Sequence, residues 1–252
     1  MDAYAAWLAG HALPMFLLAP AVAAGTAWLL WRWAAGLPPG LRVVRLYGGL
    51  AGAAAACFAM LAWSVRGQGG LVAFDHALAG HLGAAAPPGL LRALSWFTHL
   101  GDRDFLALLA IGMTVLLLAR RRWMLAAACV AATAGGGGLN WALKRLFQRA
   151  RPDYAHGYAA VDGWSFPSGH ASAAMAVYGM ACYLLLRAVP VHRRGACAAG
   201  MAALIAAIGA SRVLLQVHFA SDVAAGFAVS AAWLALCVAA AEHGLRRPGA
   251  GG

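Results

Sequence analysis

DVAAGFAVSAAWLALCVAAA, residues 222–241, carries one charged residue in twenty, and that residue, Asp222, comes first. A run of about 20 apolar residues crosses a bilayer as a helix, because a helix satisfies its own backbone hydrogen bonds where there is no water. Working back toward the N-terminus, further apolar runs lie at 195–216, 168–188, 123–143, 104–119, 44–65 and 12–33. The expected fold class is therefore all-α, a polytopic integral membrane helical bundle of seven transmembrane helices. The run at 104–119 is short and can borrow length from the segment before it. Of the 252 residues, 63% are hydrophobic and 11% charged, where a soluble domain usually has about 25% charged. Core helices of soluble proteins seldom go uncharged over such lengths, which sets a soluble fold aside.

Charge then orients the chain. A net charge of +11 would suggest nucleic acid in a soluble protein. Here most arginines lie between apolar runs, and no nucleic-acid motif is present, so no nucleic-acid partner is expected. Arg32, Arg42 and Arg45 flank the first turn, Arg120, Arg121 and Arg122 form the third, Arg193 and Arg194 lie in the fifth, and Arg246 and Arg247 follow the last run. All four places fall on one side, which is cytoplasmic by the positive-inside rule. The N-terminus is then outside and residues 243–252 form a cytoplasmic tail. Trp31, Trp33, Trp63, Trp123 and Trp141 sit near run ends, as an interfacial aromatic belt would. Asp2 and the lack of a basic N-terminal region argue against a cleaved signal peptide.

The stretch 66–103 lies outside. LVAFDHALAGHL, a break at Pro87-Pro88-Gly89 and then LLRALSWFTHL read as two short interfacial helices. His76, His81 and His99 have no i, i+4 pairing and no accompanying acidic set, so they read as interfacial rather than metal ligands. Cys57, Cys129, Cys182, Cys197 and Cys237 lie in or beside apolar runs without CxxC spacing, and neither a disulfide nor a metal site is expected. Gly135 to Gly138, inside a span, read as a place where helices approach closely, and the Gly48/Gly52 pair is a weaker signal of the same kind.

Three polar groups mark the outer ends of the last four runs. KRLFQRARP, Lys144 to Pro152, is a basic cluster on the wrong side for topology, and Lys144 is the only lysine beside 18 arginines. Lys144 and Arg151 are seven apart, which places them on one face if the helix continues. A plain snorkelling collar is the alternative. SFPSGHAS, Ser165 to Ser172, opens a helix with Pro167 in its first turn and Ser165 or Phe166 as the cap. Such a helix start binds phosphate through free N–H groups, and His170 lies in it. SRVLLQVHFASD, Ser211 to Asp222, places His218 and Asp222 four apart, so that a helical turn brings carboxylate to imidazole and fixes its tautomer. A structural His–Asp pair is the alternative reading.

Together the groups resemble the type 2 phosphatidic acid phosphatase family of membrane lipid phosphatases. Its motifs, Lys-x6-Arg-Pro, Pro-Ser-Gly-His and Ser-Arg-x5-His-x3-Asp, are met by Lys144, Arg151 and Pro152, by Pro167, Ser168, Gly169 and His170, and by Ser211, Arg212, His218 and Asp222. The resemblance covers residues 104–241, with Leu100-Gly101-Asp102 also similar. Family members commonly have six spans, so the run at 12–33 is read as an addition. This divides the chain into N-terminal spans and an external segment (1–100), a catalytic core (101–242) and the tail (243–252).

The resemblance implies hydrolysis of a lipid phosphate or diphosphate through a phosphohistidine. It makes His218 the nucleophile, oriented by Asp222, and His170 first the acid for the leaving oxygen and then the base for water. Lys144, Arg151, Arg212, Ser168 and the Gly169 N–H would hold the phosphoryl oxygens. Three cations supply the charge neutralisation that phosphoryl transfer requires, so no cofactor or metal is expected. The implied partners are a membrane lipid phosphate and the bilayer, in a bacterial plasma membrane with the site facing the periplasm or exterior. Arg145 and Arg149 read as snorkelling residues, or as cations for the second phosphate of a substrate such as undecaprenyl diphosphate. A lipid phosphotransferase would use the same motifs, whereas a transporter or non-catalytic scaffold would not need His218. Soluble vanadium haloperoxidases are similar in these motifs, but the spans exclude them.

Overall fold

The computed structural model describes residues 2–38, 43–153, 158 and 162–246. Arg42, Arg247 and the side chain of Arg45 lie outside the described residues, as does most of the expected tail. The described secondary structure is entirely helical. Helices α1 (Asp2–Gly10) and α2 (Ala12–Ala35) are followed by a π-turn at Val43–Gly48 and α3 (Gly49–Arg66). Two short helices, α4 (Gly70–Ala85) and α5 (Pro88–Phe97), precede a 3-10 turn at Thr98–Gly101 and α6 (Arg103–Ala119). Helix α7 (Trp123–Val130) runs through a π-turn at Ala131–Gly135 into α8 (Gly136–Phe147). The chain closes with α9 (Gly169–Ala188), α10 (Val191–Leu214) and α11 (Ala220–Leu245).

Among the described residues, five helices are long and apolar enough to cross a membrane: α2, the run Leu46–Arg66, α9, α10 and α11. The expected span at 104–119 is α6, of 17 residues, and that at 123–143 is the α7–α8 run interrupted by its π-turn. The interruption has a partner, because Trp233 Nε1 of α11 donates to the carbonyl of Ala131 at 2.8 Å. Gly135 lies where an added Cβ would stand 3.2 Å from the same indole, so it does permit close packing. Gly137 and Gly138 face open space, as do Gly48 and Gly52, and no close helix approach depends on those four.

Helix α9 sits centrally, packed on α6, α8, α10 and α11, while α2 lies along α10 and α3 along α11. The two short helices expected within residues 66–103 are present as α4 and α5. Leu78, Leu82, Leu91 and Leu94 bury their apolar sides against Leu214, Leu215 and Val217, at the end of α10. Helix α1, unforeseen from sequence, packs on α4 through Ala5 and Ala9. The two short helices therefore lie over one end of the bundle, the end where all three motifs meet.

Candidate active site

Helix α8 stops at Phe147 because Gln148 adopts a left-handed conformation (φ 46°), its N–H capping the Lys144 carbonyl at 3.0 Å. Lys144 and Arg151 are therefore not on one helical face, as their spacing predicts. Lys144 is in the last helical turn and Arg151 lies beyond it in irregular chain. Tertiary contacts bring them together instead. Lys144 Nζ donates to the carbonyls of Trp164 and Ser165, while Arg151 donates to those of Asp162 (3.0 Å), Gly163 (2.9 Å) and Val217 (2.8 Å).

The cap of α9 is Ser168, not Ser165 or Phe166. Its Oγ accepts from the Ala171 N–H at 3.5 Å, and Pro167 precedes the helix. The Ser168 N–H donates to the Asp222 carbonyl at 2.9 Å, tying the starts of α9 and α11 together. Gly226 permits that approach, since a Cβ there would stand 2.8 Å from the Ser168 carbonyl oxygen. Gly169 and His170 are the first two helical residues, whose N–H groups have no intrahelical partner. The Lys144 chain lies beside this helix start, with its Cε 3.8 Å from where a Gly169 Cβ would be.

His218 precedes α11 instead of lying within it, so its pairing with Asp222 is not a helical i, i+4 contact. Asp222 is the third residue of α11, and its Oδ2 reaches back to accept the Phe219 N–H at 2.9 Å, as a first-turn carboxylate does. The same oxygen faces His218 Nδ1 at 3.5 Å, longer than an ordinary hydrogen bond. The other ring nitrogen settles the tautomer. Arg151 Nη1 lies 3.1 Å from His218 Nε2, and a guanidinium has only donors. Nε2 must accept, so Nδ1 carries the proton and points it at Asp222. Burial, the largest influence on the imidazole, pushes its pKa down to about 3; Asp222 opposes this, and the charges of Arg151 and Lys144 reinforce it. His218 is thus a neutral imidazole with a lone pair aimed among cations.

His170 has a carboxylate of its own, which sequence reasoning noticed only as part of Leu100-Gly101-Asp102. Its Nε2 donates to Asp102 Oδ1 at 3.0 Å, and His99 Nδ1 lies 2.6 Å from the other oxygen. Burial works to raise the Asp102 carboxyl, but the hydrogen bonds from His99 and His170 outweigh it and hold the pKa below the ordinary value. Gly101 leaves the room, since a Cβ there would meet Ile208 at 2.6 Å and the His170 ring at 3.1 Å. Arg212, buried at the end of α10, donates to Thr98 Oγ1 at 2.9 Å. The three histidines of residues 66–103 each have a neighbour: His99 holds Asp102, His81 Nε2 lies 2.9 Å from an Asp2 carboxylate oxygen, and the His76 ring lies against Phe219.

All eight residues expected from the motifs lie at this end of the bundle. Asp75, Thr98, Asp102 and Arg149, which no motif assigns, lie among them. Acid rarity was the available signal, since three of only eight Asp and Glu residues (Asp75, Asp102 and Asp222) converge here. A neighbouring cavity of about 380 Å³, lined by Arg66, His76, Phe147 and Phe219 among others, includes none of the eight motif residues in its wall.

Positive charge converging on a neutral imidazole at the mouth of a membrane bundle suits removal of a phosphoryl group from a molecule held in the bilayer, and the class so defined is that of membrane phosphatases. Known proteins agree. The model of the PAP2 superfamily matches residues 122–243. Phosphatidylglycerophosphatase B of Bacillus subtilis (strain 168) is 32% identical over 146 residues, which are 56% of this chain and 70% of that protein. The crystal structure of a transmembrane PAP2 type phosphatidylglycerolphosphate phosphatase from Bacillus subtilis matches with a TM-score of 0.67 and 28% identity, over 75% of this chain and 94% of that one. The chain belongs to the PAP2 superfamily and is an integral membrane phosphatase acting on a lipid substrate.

Proposed function

We propose that this phosphatase hydrolyses a lipid phosphate monoester of the phosphatidylglycerophosphate class, through a phosphohistidine on His218. The observation that carries the reading is the His218 ring itself, with Nδ1–H toward Asp222 and Nε2 toward Arg151. Attack by Nε2 on phosphorus breaks the bond to the lipid oxygen, which takes a proton from Nδ1 of protonated His170 while Asp102 holds that ring's Nε2–H. Neutral His170 then takes a proton from water, the water oxygen attacks phosphorus, and the P–N bond breaks to give inorganic phosphate and the starting imidazole. Lys144, Arg151 and Arg212, with Ser168 and the Gly169 N–H, neutralise the equatorial oxygens.

The monoester is favoured over a diphosphate because neither extra cation is placed for a second phosphate. The Arg145 guanidinium lies over the Trp141 ring, 4.0 Å from its centroid, and Arg149 is enclosed by carboxylates. The name of the Bacillus subtilis enzyme matched in sequence and in structure points to the same substrate. The seven apolar runs all cross the membrane in this reading, with the site outside and residues 1–100, 101–242 and 243–252 forming the N-terminal, catalytic and tail regions. Arginines 120–122, 193, 194 and 246 at the opposite helix ends support that orientation.

Purified protein in detergent, assayed for released phosphate against phosphatidate, phosphatidylglycerophosphate, undecaprenyl diphosphate and lipid A, tests the assignment. Fastest release from phosphatidylglycerophosphate, surviving EDTA and blocked by vanadate, is expected. Preference for the diphosphate would overturn the monoester assignment, and transfer to a second lipid in place of phosphate release would make the protein a phosphotransferase. In a cysteine-free background, an impermeant thiol reagent should label Trp164→Cys but not Arg193→Cys in intact cells; the reverse pattern would invert the topology. Gly157, the first choice for such a label by sequence, lies outside the described residues.

A further inference from the structure

Arg149 stands between Lys144 and Arg151 in sequence, yet it neither snorkels nor faces a substrate phosphate. It is 9% exposed. Its Nη1 donates to Asp222 Oδ1 and to Ser221 Oγ, each at 2.7 Å, and its Nη2 donates to Asp75 Oδ2 at 2.8 Å. The guanidinium lies over the Phe219 ring, 4.2 Å from its centroid. Asp75, on α4, is buried and also accepts the Ser221 N–H at 3.2 Å and the Ser221 hydroxyl. One buried cation therefore joins two buried carboxylates, one from a short outer helix and one from the candidate His–Asp pair.

Burying three charges is costly unless each is well paired, so such a cluster is weak evidence of a purely stabilising role. Its geometry acts on Asp222. Oδ1 is held by Arg149, which leaves Oδ2 to accept the Phe219 N–H and face His218 Nδ1. With both oxygens assigned, the carboxylate cannot rotate away from the imidazole. Arg149 also fixes the segment that delivers Arg151, because its carbonyl accepts the Ser165 N–H at 2.8 Å. Two arginines two residues apart thus bracket the pair: Arg149 grips the carboxylate and Arg151 reaches Nε2 of the imidazole.

We propose that Arg149 and Asp75 are positioning residues for phosphoryl transfer, with Asp75 holding Arg149, Arg149 holding Asp222, and Asp222 holding the proton-bearing side of His218. The outer helix α4 is then part of the catalytic apparatus. This rests on the reading of His218 as nucleophile.

The test compares Arg149→Gln, Arg149→Lys, Asp75→Asn, the double variant Arg149→Gln/Asp75→Asn, and His218→Ala. Each is purified in detergent, checked by gel filtration and thermal midpoint, and assayed for kcat and KM on phosphatidylglycerophosphate. Vanadate titration counts the folded sites, so kcat refers to folded protein alone. Arg149→Gln should lose at least about tenfold in kcat, as expected when preorganisation of a reacting group is lost, with KM changed less than about twofold. Arg149→Lys, which keeps charge but cannot fork between two carboxylates, should recover part of the loss. Asp75→Asn should lose less than Arg149→Gln, and the double variant should be no worse than Arg149→Gln alone, because the residues act in one chain. A normal kcat per folded Arg149→Gln site, with only yield or thermal midpoint reduced, would overturn the proposal. If Arg149→Gln does not fold, Asp75→Asn decides: unchanged kcat overturns the proposal, reduced kcat at constant KM supports it. Activity retained by His218→Ala would instead remove the nucleophile reading beneath it.

Discussion

Helices α2 and α11 have comparable length and mean hydropathy, but opposite fates. No residue in the most apolar 18-residue stretch of α2 is buried inside the protein, against 44% of the corresponding stretch of α11. Helix α2 turns Leu17, Leu18, Val22 and Leu29 outward, whereas α11 buries Ala225, Gly226, Ala228 and Ser230 between its neighbours. In a bilayer there is little hydrophobic drive between helices, so small residues that allow close approach decide which helix is central. Hydropathy says that a helix lies in the membrane; the size and polarity of its residues say whether it holds a site. Asp222 and Gly226 on α11 meet the start of α9, and α2 has no counterpart of either.

The largest contrast should come from the histidines on the catalytic side. His218→Ala should have no measurable activity on either lipid phosphate or p-nitrophenyl phosphate. His170→Ala should lose about 10²–10⁴ on the lipid, whose alkoxide needs a proton, and much less on p-nitrophenyl phosphate, whose leaving group is stable without one. Equal losses in both variants on both substrates, or ester activity surviving in His218→Ala, would refute the division of roles.

Next in size is the pair of neighbouring cations on α8. Lys144→Ala should lose about 10²–10³ in rate, the usual cost of a missing preorganised donor. Lys144→Arg should lose at least about tenfold, since a planar fork does not replace an ammonium. Arg145→Lys should change little, because Arg145 lies over Trp141 and away from the motif residues. A near-normal Lys144→Ala enzyme would return Lys144 to the status of a basic collar.

The smallest effects sharpen the helix comparison directly. Gly226→Ala forces a Cβ to within 2.8 Å of backbone, and overpacking of that kind costs about 1–3 kcal/mol. Thermal unfolding in detergent should show a clear drop in midpoint, with a loss of phosphatase activity as Ser168 shifts. Gly25→Ala, on α2, meets nothing within 4 Å and should leave midpoint and activity unchanged or raise the midpoint slightly, since alanine favours helix by about 1 kcal/mol. Equal behaviour of the two variants would mean that α2 is packed as tightly as α11.

The helices and the eight candidate site residues were legible in sequence for different reasons. The long apolar runs follow from bilayer thickness, and their boundaries came within a few residues at α2, α9 and α11. Lys144, Arg151, Ser168, Gly169, His170, Arg212, His218 and Asp222 were legible because their spacing resembles a family pattern. The local geometry inferred from that spacing was less secure. Lys144 and Arg151 do not share a helical face, the cap is Ser168, and His218 lies before its helix. In each case a helix started or stopped where the chain changed direction, and spacing alone does not carry that.

Sequence by itself determined that this is a membrane-spanning helical protein and marked the polar motifs of its candidate site. A chain with so few charges between such runs has no other way to satisfy its backbone, and three separated polar motifs must gather wherever the helix ends gather. Only the tertiary structure decided which charges pair. Asp75 and Arg149 are 74 residues apart, a separation that no helical or strand periodicity relates. Arg149 finds Asp75 and Asp222 because a buried charge is tolerable only beside its opposite. That condition is met by the fold in three dimensions, not by any spacing along the chain.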